Sequence, residues 1–280
     1  MSLIDFILNI AGVLLWFNWR ALPFDPLSKA TPATLTGTLR RAAPSRFRRW
    51  HLPVVLLGLI FLRAVCYRQI GPAVNWTASL NLAVVTVSFR SDYFERMLLF
   101  STLSFGVALA VFFLWLIFLS LLKPPGAEPD SLQRLVRTQL GRVDGWPRQL
   151  KAGLPLLAGG LLWWLASWPL TRWAIVPAPV SAAHRLEQAL VIGASSYLVW
   201  KFLIVGVLGL HILNSYVFLG RHPFWHHLNG VARALLSPLR RLPLRVGKLD
   251  FAPVLGIVLV CLGARLLEIA LTRLYQRLPL

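Results

Sequence analysis

The sequence has few acidic residues, few cysteines and little charge overall. Among 280 residues there are 10 Asp and Glu and 2 Cys, and 14% of the residues are charged, against about 25% in ordinary globular proteins. The acidic residues form no carboxylate pair, and no serine–histidine–acid cluster or phosphate-binding loop is present, so we expect no enzymatic activity. Cys66 and Cys261 have neither metal-type spacing nor a disulfide framework. We therefore predict no metal site and no cofactor.

Apolar residues, in contrast, are abundant. They make up 57% of the chain, and the mean hydropathy is +0.65. Bilayer hydrocarbon tolerates such a composition, and a spanning helix needs roughly 20 apolar residues. Six runs approach that length, and we predict an all-α membrane protein with six transmembrane helices at about 3–22, 53–71, 97–122, 154–171, 201–220 and 253–272. The first run lacks a preceding basic residue and a clear cleavage site, so we interpret it as a retained helix.

Basic residues are concentrated between alternate spans. The chain has 29 Lys and Arg and a net charge of +19, and 19 of these cations lie in segments 20–51, 123–152 and 221–250. Lys and Arg collect in the cytoplasmic loops of membrane proteins, which places these segments in the cytoplasm and both termini outside. Because membrane orientation accounts for the charge, we expect no nucleic-acid partner.

The basic segments belong to a repeated pattern. At an offset of 200 residues, Leu39-Arg40-Arg41 matches Leu239-Arg240-Arg241, and Pro53 matches Pro253. A fainter middle copy contains Pro155. We predict two or three parallel helix–loop–helix repeats: a first repeat at 1–71, a degenerate middle repeat at 97–171 and a C-terminal repeat at 201–280, joined by outer linkers at 72–96 and 172–200.

Proline positions lead to a prediction about the helix starts. Proline suits the first turn of a helix and cannot continue a preceding one without losing a hydrogen bond. We expect Pro53 and Pro253 to open outward helices, with Asp250 capping the last of them.

The basic loops also have a helical pattern. Apolar residues recur with helical spacing from Phe224 to Leu239, and basic residues lie opposite them. A basic amphipathic cytoplasmic helix of this kind can lie among lipid headgroups or pack on the protein's own cytoplasmic face, and both alternatives remain open. The residues expected to bind anionic lipid or a partner are Arg40, Arg41, Arg233, Arg240, Arg241, Arg245 and Asp250.

Polar residues inside the spans are a second set of candidates, because such residues are costly in lipid and usually functional. They are Arg63, His211, Asn214, Arg265 and Glu268. Arg265 and Glu268 can pair on one helix face, and Arg63 could join Arg265 in one polar site. Alternatively, the arginines reach the headgroups. His211 could ligate haem or form a hydrogen bond within the bundle.

The C-terminal repeat resembles the YGGT family of integral membrane proteins. The matching residues are NSYVF at 214–218, PF at 223–224, LSPLRRLP at 236–243, Gly247 and DFAP at 250–253. The first repeat keeps this skeleton but has Trp50 in place of the aspartate, and the middle repeat has Ala152 there. The resemblance implies a non-enzymatic protein of the bacterial inner membrane that is associated with membrane organisation, osmotic tolerance or the assembly of a membrane complex.

The sequence therefore leads to one functional expectation and two alternatives. We expect a scaffold or assembly factor that contacts the lipid bilayer, anionic phospholipid and another membrane protein. The first alternative is a small-solute or ion transporter or channel with a polar path near Arg63, Arg265 and Glu268. The weaker alternative is a haem-handling factor that uses His211.

Overall fold

The structure of the chain is a computed structural model. It describes residues 2–21, 48–122, 131–217, 223–239, 245–246 and 249–278. Four of the predicted lipid- or partner-binding arginines lie outside the described residues: Arg40, Arg41, Arg240 and Arg241.

The described residues are mostly helical. The α-helices are α1 (Ser2–Ala21), α2 (Arg48–Ala73), α3 (Phe94–Leu121), α4 (Ser131–Leu140), α5 (Arg148–Arg172), α6 (Ala182–Ser195), α7 (Trp200–Tyr216), α8 (Pro223–Leu235) and α9 (Ala252–Arg277). Short 3₁₀ turns cover Gly141–Gly145 and Ser196–Val199. Strands β1 (Ala78–Asn81) and β2 (Thr86–Phe89) pair with each other, as do the two-residue strands β3 (Arg245–Val246) and β4 (Leu249–Asp250).

Among the described residues, six helices are long and apolar enough to cross a membrane, as the lengths of the apolar runs predict. They are Leu3–Arg20, Trp50–Ala73, Phe94–Leu121, Arg148–Arg172, Ala182–Ser215 and Ala252–Arg277. The fifth joins α6, the turn after it and α7. The segment predicted as an outer linker at 172–200 therefore contains the whole of α6, and the apolar run that begins near Leu186 is part of this candidate span.

The chain divides into two compact units. The first contains residues 1–80 and 88–110, and the second contains residues 81–87 and 111–280. In the first unit, α1 packs on both α2 and α3 at Gly12, where an added Cβ would lie 2.8 Å from the ring of Phe105 in α3 and 3.4 Å from Leu56 in α2. The interior of this unit includes Phe89 and Phe100, whose rings are 5.5 Å apart.

Glycines allow close helix packing in the second unit. A Cβ added to Gly193 in α6 would collide with the carbonyl oxygen of Leu156 in α5 and would lie 3.0 Å from the Gly160 nitrogen. A Cβ on Gly160 would in turn approach the Ala189 carbonyl oxygen to 3.1 Å. Small residues let membrane helices approach backbone to backbone, and α5 and α6 do so here.

The short helices α4 and α8 place apolar side chains against the longer ones. In α8, Leu228 and Val231 are buried with Leu208 of α7. In α4, Val136 is buried with Leu116 of α3. These side chains pack on the protein itself. Of the two alternatives for the basic loops, lying among lipid headgroups or packing on the protein, the structure therefore provides the contacts expected for packing on the protein.

Two predictions about helix starts are wrong. Helix α2 begins at Arg48, which leaves Pro53 inside this helix. A proline this near a helix start costs one intrahelical hydrogen bond and does not prevent the preceding turn from forming. Asp250 belongs to β4, opposite Arg245, and the N-cap residue of α9 is Phe251. Pro253 does lie in the first turn of α9, as expected.

Candidate functional site

The first unit contains a buried polar cluster centred on Arg63 of α2. The Arg63 side chain is 2% exposed and forms an ion pair with Asp5 of α1 at 2.6 Å. Its guanidinium also donates to Asn9 Oδ1 at 2.8 Å and to Ser104 Oγ at 3.1 Å. Asn9 lies four residues after Asp5, so both α1 side chains are on the same helix face. Three helices that are long and apolar enough to cross a membrane thus meet at one guanidinium.

Two aromatic rings complete the surroundings of this guanidinium. Tyr67, one turn after Arg63, donates its hydroxyl to Asp5 Oδ1 at 2.6 Å. The Arg63 guanidinium lies 5.4 Å from the centroid of the Tyr67 ring and 5.2 Å from that of Phe100. Cation–π contacts of this kind gain strength where water is excluded. The positive charge is therefore balanced by one carboxylate and two ring faces.

The hydrogen bonds of the cluster are nearly complete within the described residues. Both terminal nitrogens of Arg63 donate to side chains, and Asn9 also donates to Ser104 Oγ at 2.9 Å. The Arg63 Nε is buried without a protein acceptor in the part of the chain that the structure describes. The cluster has no net charge and connects α1 to α2 and α3 through side-chain hydrogen bonds. It therefore stabilises the packing of these three helices against one another.

Arg265 in the second unit has different surroundings. It is exposed, and among the described residues it forms no ion pair or side-chain hydrogen bond. The structure does not pair it with Glu268, whose carboxylate instead lies 3.7 Å from Lys201 Nζ at the start of α7. The Lys201 and Glu268 side chains are both partly exposed. Arg63 and Arg265, which could share one polar site according to the sequence, thus differ in burial and in partners.

His211 lies in α7 and has a side-chain partner. Its Nδ1 is 2.7 Å from Asn229 Oδ1 of α8, and the Asn229 carbonyl oxygen accepts from Arg233 Nε at 3.2 Å. Asn214 is half-buried one turn further along α7. No group of three His, Cys, Asp or Glu side chains that could hold a metal ion occurs among the described residues. The arrangement at His211 is a helix-to-helix hydrogen bond.

A second polar cluster, which was not predicted from the sequence, surrounds Lys151 of α5. Its ammonium donates to Ser120 Oγ at 2.8 Å and to the Asp144 carbonyl oxygen at 2.6 Å. The Ser120 hydroxyl in turn donates to Asp144 Oδ1 at 2.6 Å. The Lys151 side chain is 8% exposed. The signal in the sequence was an Asp seven residues before a Lys. Both lie in a basic segment whose positive charge is already explained by membrane orientation.

The remaining predicted binding residues are described in part. Arg233 is exposed on α8. For Arg245 and Asp250 the structure describes the backbone, which pairs between β3 and β4.

Comparisons with models of known protein families, with curated proteins and with solved structures find no match for this chain. The resemblance to the YGGT family therefore stays a prediction.

Proposed function

We propose that this protein is a non-enzymatic scaffold or assembly factor of the YGGT type in the bacterial inner membrane, with a role in membrane organisation or osmotic tolerance. In this proposal both termini face outward and the basic bends face the cytoplasm, as the distribution of Lys and Arg predicts. The proposal extends to a second membrane protein that docks against the spans and to anionic phospholipid that contacts the bends.

The observation that carries the proposal is the self-contained Arg63 cluster. A residue that lines a transport path must exchange its partners with a solute or with water. Arg63 instead has both terminal nitrogens bonded to side chains of its own unit and is 2% exposed. Such a group favours a fixed arrangement of α1, α2 and α3 over a moving one.

The exposed apolar surface gives further support. In α1, Leu3, Phe6 and Leu14 are each more than 60% exposed, and a candidate span at Leu3–Arg20 has 6% of its residues buried. Lipid tails can cover such side chains, and so can the helices of a partner. Because so few residues of this helix are buried by the described part of the chain, apolar surface remains that a partner could contact.

The contact with anionic phospholipid is proposed to come from charge. The apolar residues of α8 pack on α7, so in this proposal the basic residues, rather than the apolar ones, contact the lipid. Each Lys or Arg near a membrane surface contributes about 1 kcal/mol toward anionic lipid. Replacing Arg240 and Arg241 by Gln should therefore reduce the phosphatidylglycerol retained on the purified protein by roughly tenfold or more. Unchanged retention would remove lipid docking from the proposal.

The proposal of a scaffold is tested by chemical cross-linking in native membranes, gentle extraction and identification of the proteins that co-purify. A partner present in stoichiometric amount is the expected result. A protein that purifies without one, and whose removal leaves every membrane complex intact, would contradict the proposal.

A transporter is the second candidate, favoured by the charged residues Lys201, Arg265 and Glu268 on α7 and α9. It predicts solute flux in liposomes that is lost in Arg265→Ala. The scaffold predicts no flux in either protein. Haem handling requires a Soret band in the absorption spectrum of the purified protein, and the scaffold predicts none.

A further inference from the structure

Arg265 lies too deep in α9 to reach either surface of the bilayer. Helix α9 has 26 residues, about 39 Å at 1.5 Å per residue, and the hydrocarbon core is about 30 Å thick. Wherever that core lies along the helix, at least about 10 Å separates Arg265 from its nearer edge. An extended arginine side chain covers about 7 Å, so its charge stays inside the hydrocarbon.

This charge is not compensated within the described part of the chain. Arg63 has a carboxylate, an amide, a hydroxyl and two rings around its guanidinium, whereas Arg265 is exposed and forms no ion pair there. The nearest carboxylate along α9, that of Glu268, lies against Lys201. Two cations and one anion in this region leave one positive charge in excess. Isolated charges in lipid are costly and normally have a partner.

We propose that the face of α9 around Arg265 docks a transmembrane helix of another membrane protein, which presents one Asp or Glu at mid-membrane depth. The inference rests on the proposed scaffold function and names where and how the partner binds. One carboxylate cancels the excess charge, and the exposed apolar neighbours Leu262 and Leu266 supply contact area.

Two other occupants fit the charges less well. A second copy of this chain would bring its own excess cation to the interface and leave two positive charges in the hydrocarbon. A phospholipid phosphate lies outside the hydrocarbon core, beyond the reach of the Arg265 side chain. A helix from another protein with a carboxylate at this depth has neither problem.

The chain contains a probe for this face. Cys261 is exposed and lies four residues before Arg265, one turn away on the same side of α9. Replacing Cys66 by Ser leaves Cys261 as the single cysteine. The full chain is placed in phosphatidylcholine nanodiscs with a synthetic transmembrane peptide of Leu and Ala that carries a central Asp, with a cysteine one turn from it. Oxidation then cross-links neighbouring thiols.

The expected result is roughly three- to thirty-fold more cross-link to Cys261 with the Asp peptide than with a matched Leu peptide, the range typical of polar contacts between membrane helices. The difference should vanish in Arg265→Leu and persist in Arg273→Leu, which removes an exposed cation two turns further along α9. In Arg265→Asp, a peptide with a central Lys should take over. This exchange keeps the test valid if Arg265→Leu changes the packing.

Three results would overturn the inference. Equal cross-linking of the Asp and Leu peptides would show that the charge is not recognised. Disulfide-linked dimers formed through Cys261 would assign the face to a second copy. Protection of Cys261 that depends on Arg265 and on added phosphatidylglycerol would assign it to lipid.

The peptide experiment and the co-purification experiment fail independently. If a partner co-purifies but the Asp peptide is not selected, the scaffold function stands and the docking face is wrong. If the peptide is selected but native membranes yield no partner, the face recognises a carboxylate and the scaffold function is wrong.

Discussion

The Arg63 cluster makes a specific prediction about stability. Replacing Asp5 by Asn removes the negative charge and keeps an acceptor oxygen at the same position. The Arg63 guanidinium then remains buried with a net positive charge among Asn9, Ser104 and the two rings. We expect α1 to dock less tightly on α2 and α3 and the protein to unfold more easily.

The size of this effect follows from the contacts of Asp5. Its carboxylate accepts two short hydrogen bonds, from Arg63 and from Tyr67, both at 2.6 Å. A hydrogen bond to a charged group contributes about 1.5–3 kcal/mol, against about 0.5–1.5 kcal/mol between neutral groups. Loss of one member of a buried ion pair costs about 3–5 kcal/mol. Because Asp5 is 20% exposed and an acceptor remains, we expect a loss of roughly 2–3 kcal/mol.

The chain offers a matched control. Arg90 and Asp92 form an ion pair at 3.0 Å with side chains 68% and 48% exposed. Exposed pairs contribute little, so Asp92→Asn should lower the free energy of unfolding by less than about 1 kcal/mol. Both variants are unfolded by sodium dodecyl sulphate in mixed micelles and followed by circular dichroism. If Asp5→Asn loses no more stability than Asp92→Asn, the reasoning about the cluster is refuted.

Two other predictions concern the second unit. Gly193→Ala places a methyl group against the Leu156 carbonyl and should cost about 1–3 kcal/mol of unfolding free energy. The control is Gly206→Ala, where a Cβ meets open space, and this variant should lose no measurable stability. Equal stabilities of the two variants would contradict close packing of α5 on α6. Lys151→Met leaves the Asp144 carboxylate without its cation and should cost about 2–3 kcal/mol, whereas the exposed Arg148→Met should change stability by less than about 0.5 kcal/mol. Similar losses in the two variants would mean that the Lys151 cluster contributes nothing.

The number and approximate positions of the spans could be predicted from the sequence. The length of an apolar run is set by the thickness of the hydrocarbon, so the signal is local and strong. Helix starts are set by weaker forces. Pro53 has no backbone N–H to donate, but it leaves the preceding turn free to be helical. Helix α2 therefore begins at Arg48. The sequence predicts that the fifth span begins at Lys201, because a charge at the centre of a span is costly, and this leaves α6 in the outer linker. In the structure the Lys201 ammonium lies 3.7 Å from the Glu268 carboxylate.

The candidate sites were predictable as residue types and not as contacts. Arg63 stands out because charge in an apolar run is costly. Its partners come from α1 and α3, at sequence separations of 58 residues for Asp5 and 41 for Ser104. The residue pattern within α2 does not indicate which residues, so far away in the sequence, will contact Arg63. Similarly, the difference between Arg63 and Arg265 in burial and partners depends on tertiary packing, which the presence of an arginine in an apolar run does not reveal.

The central claim is that the chain crosses the membrane six times with its basic bends on one side. Labelling of single cysteines tests it most directly, in a background where Cys66 and Cys261 are replaced by Ser. Cysteines at positions 41 and 241 should react with a membrane-impermeant maleimide only from the cytoplasmic side, and a cysteine at position 92 only from the opposite side. Labelling of positions 41 and 241 from opposite sides would contradict the account.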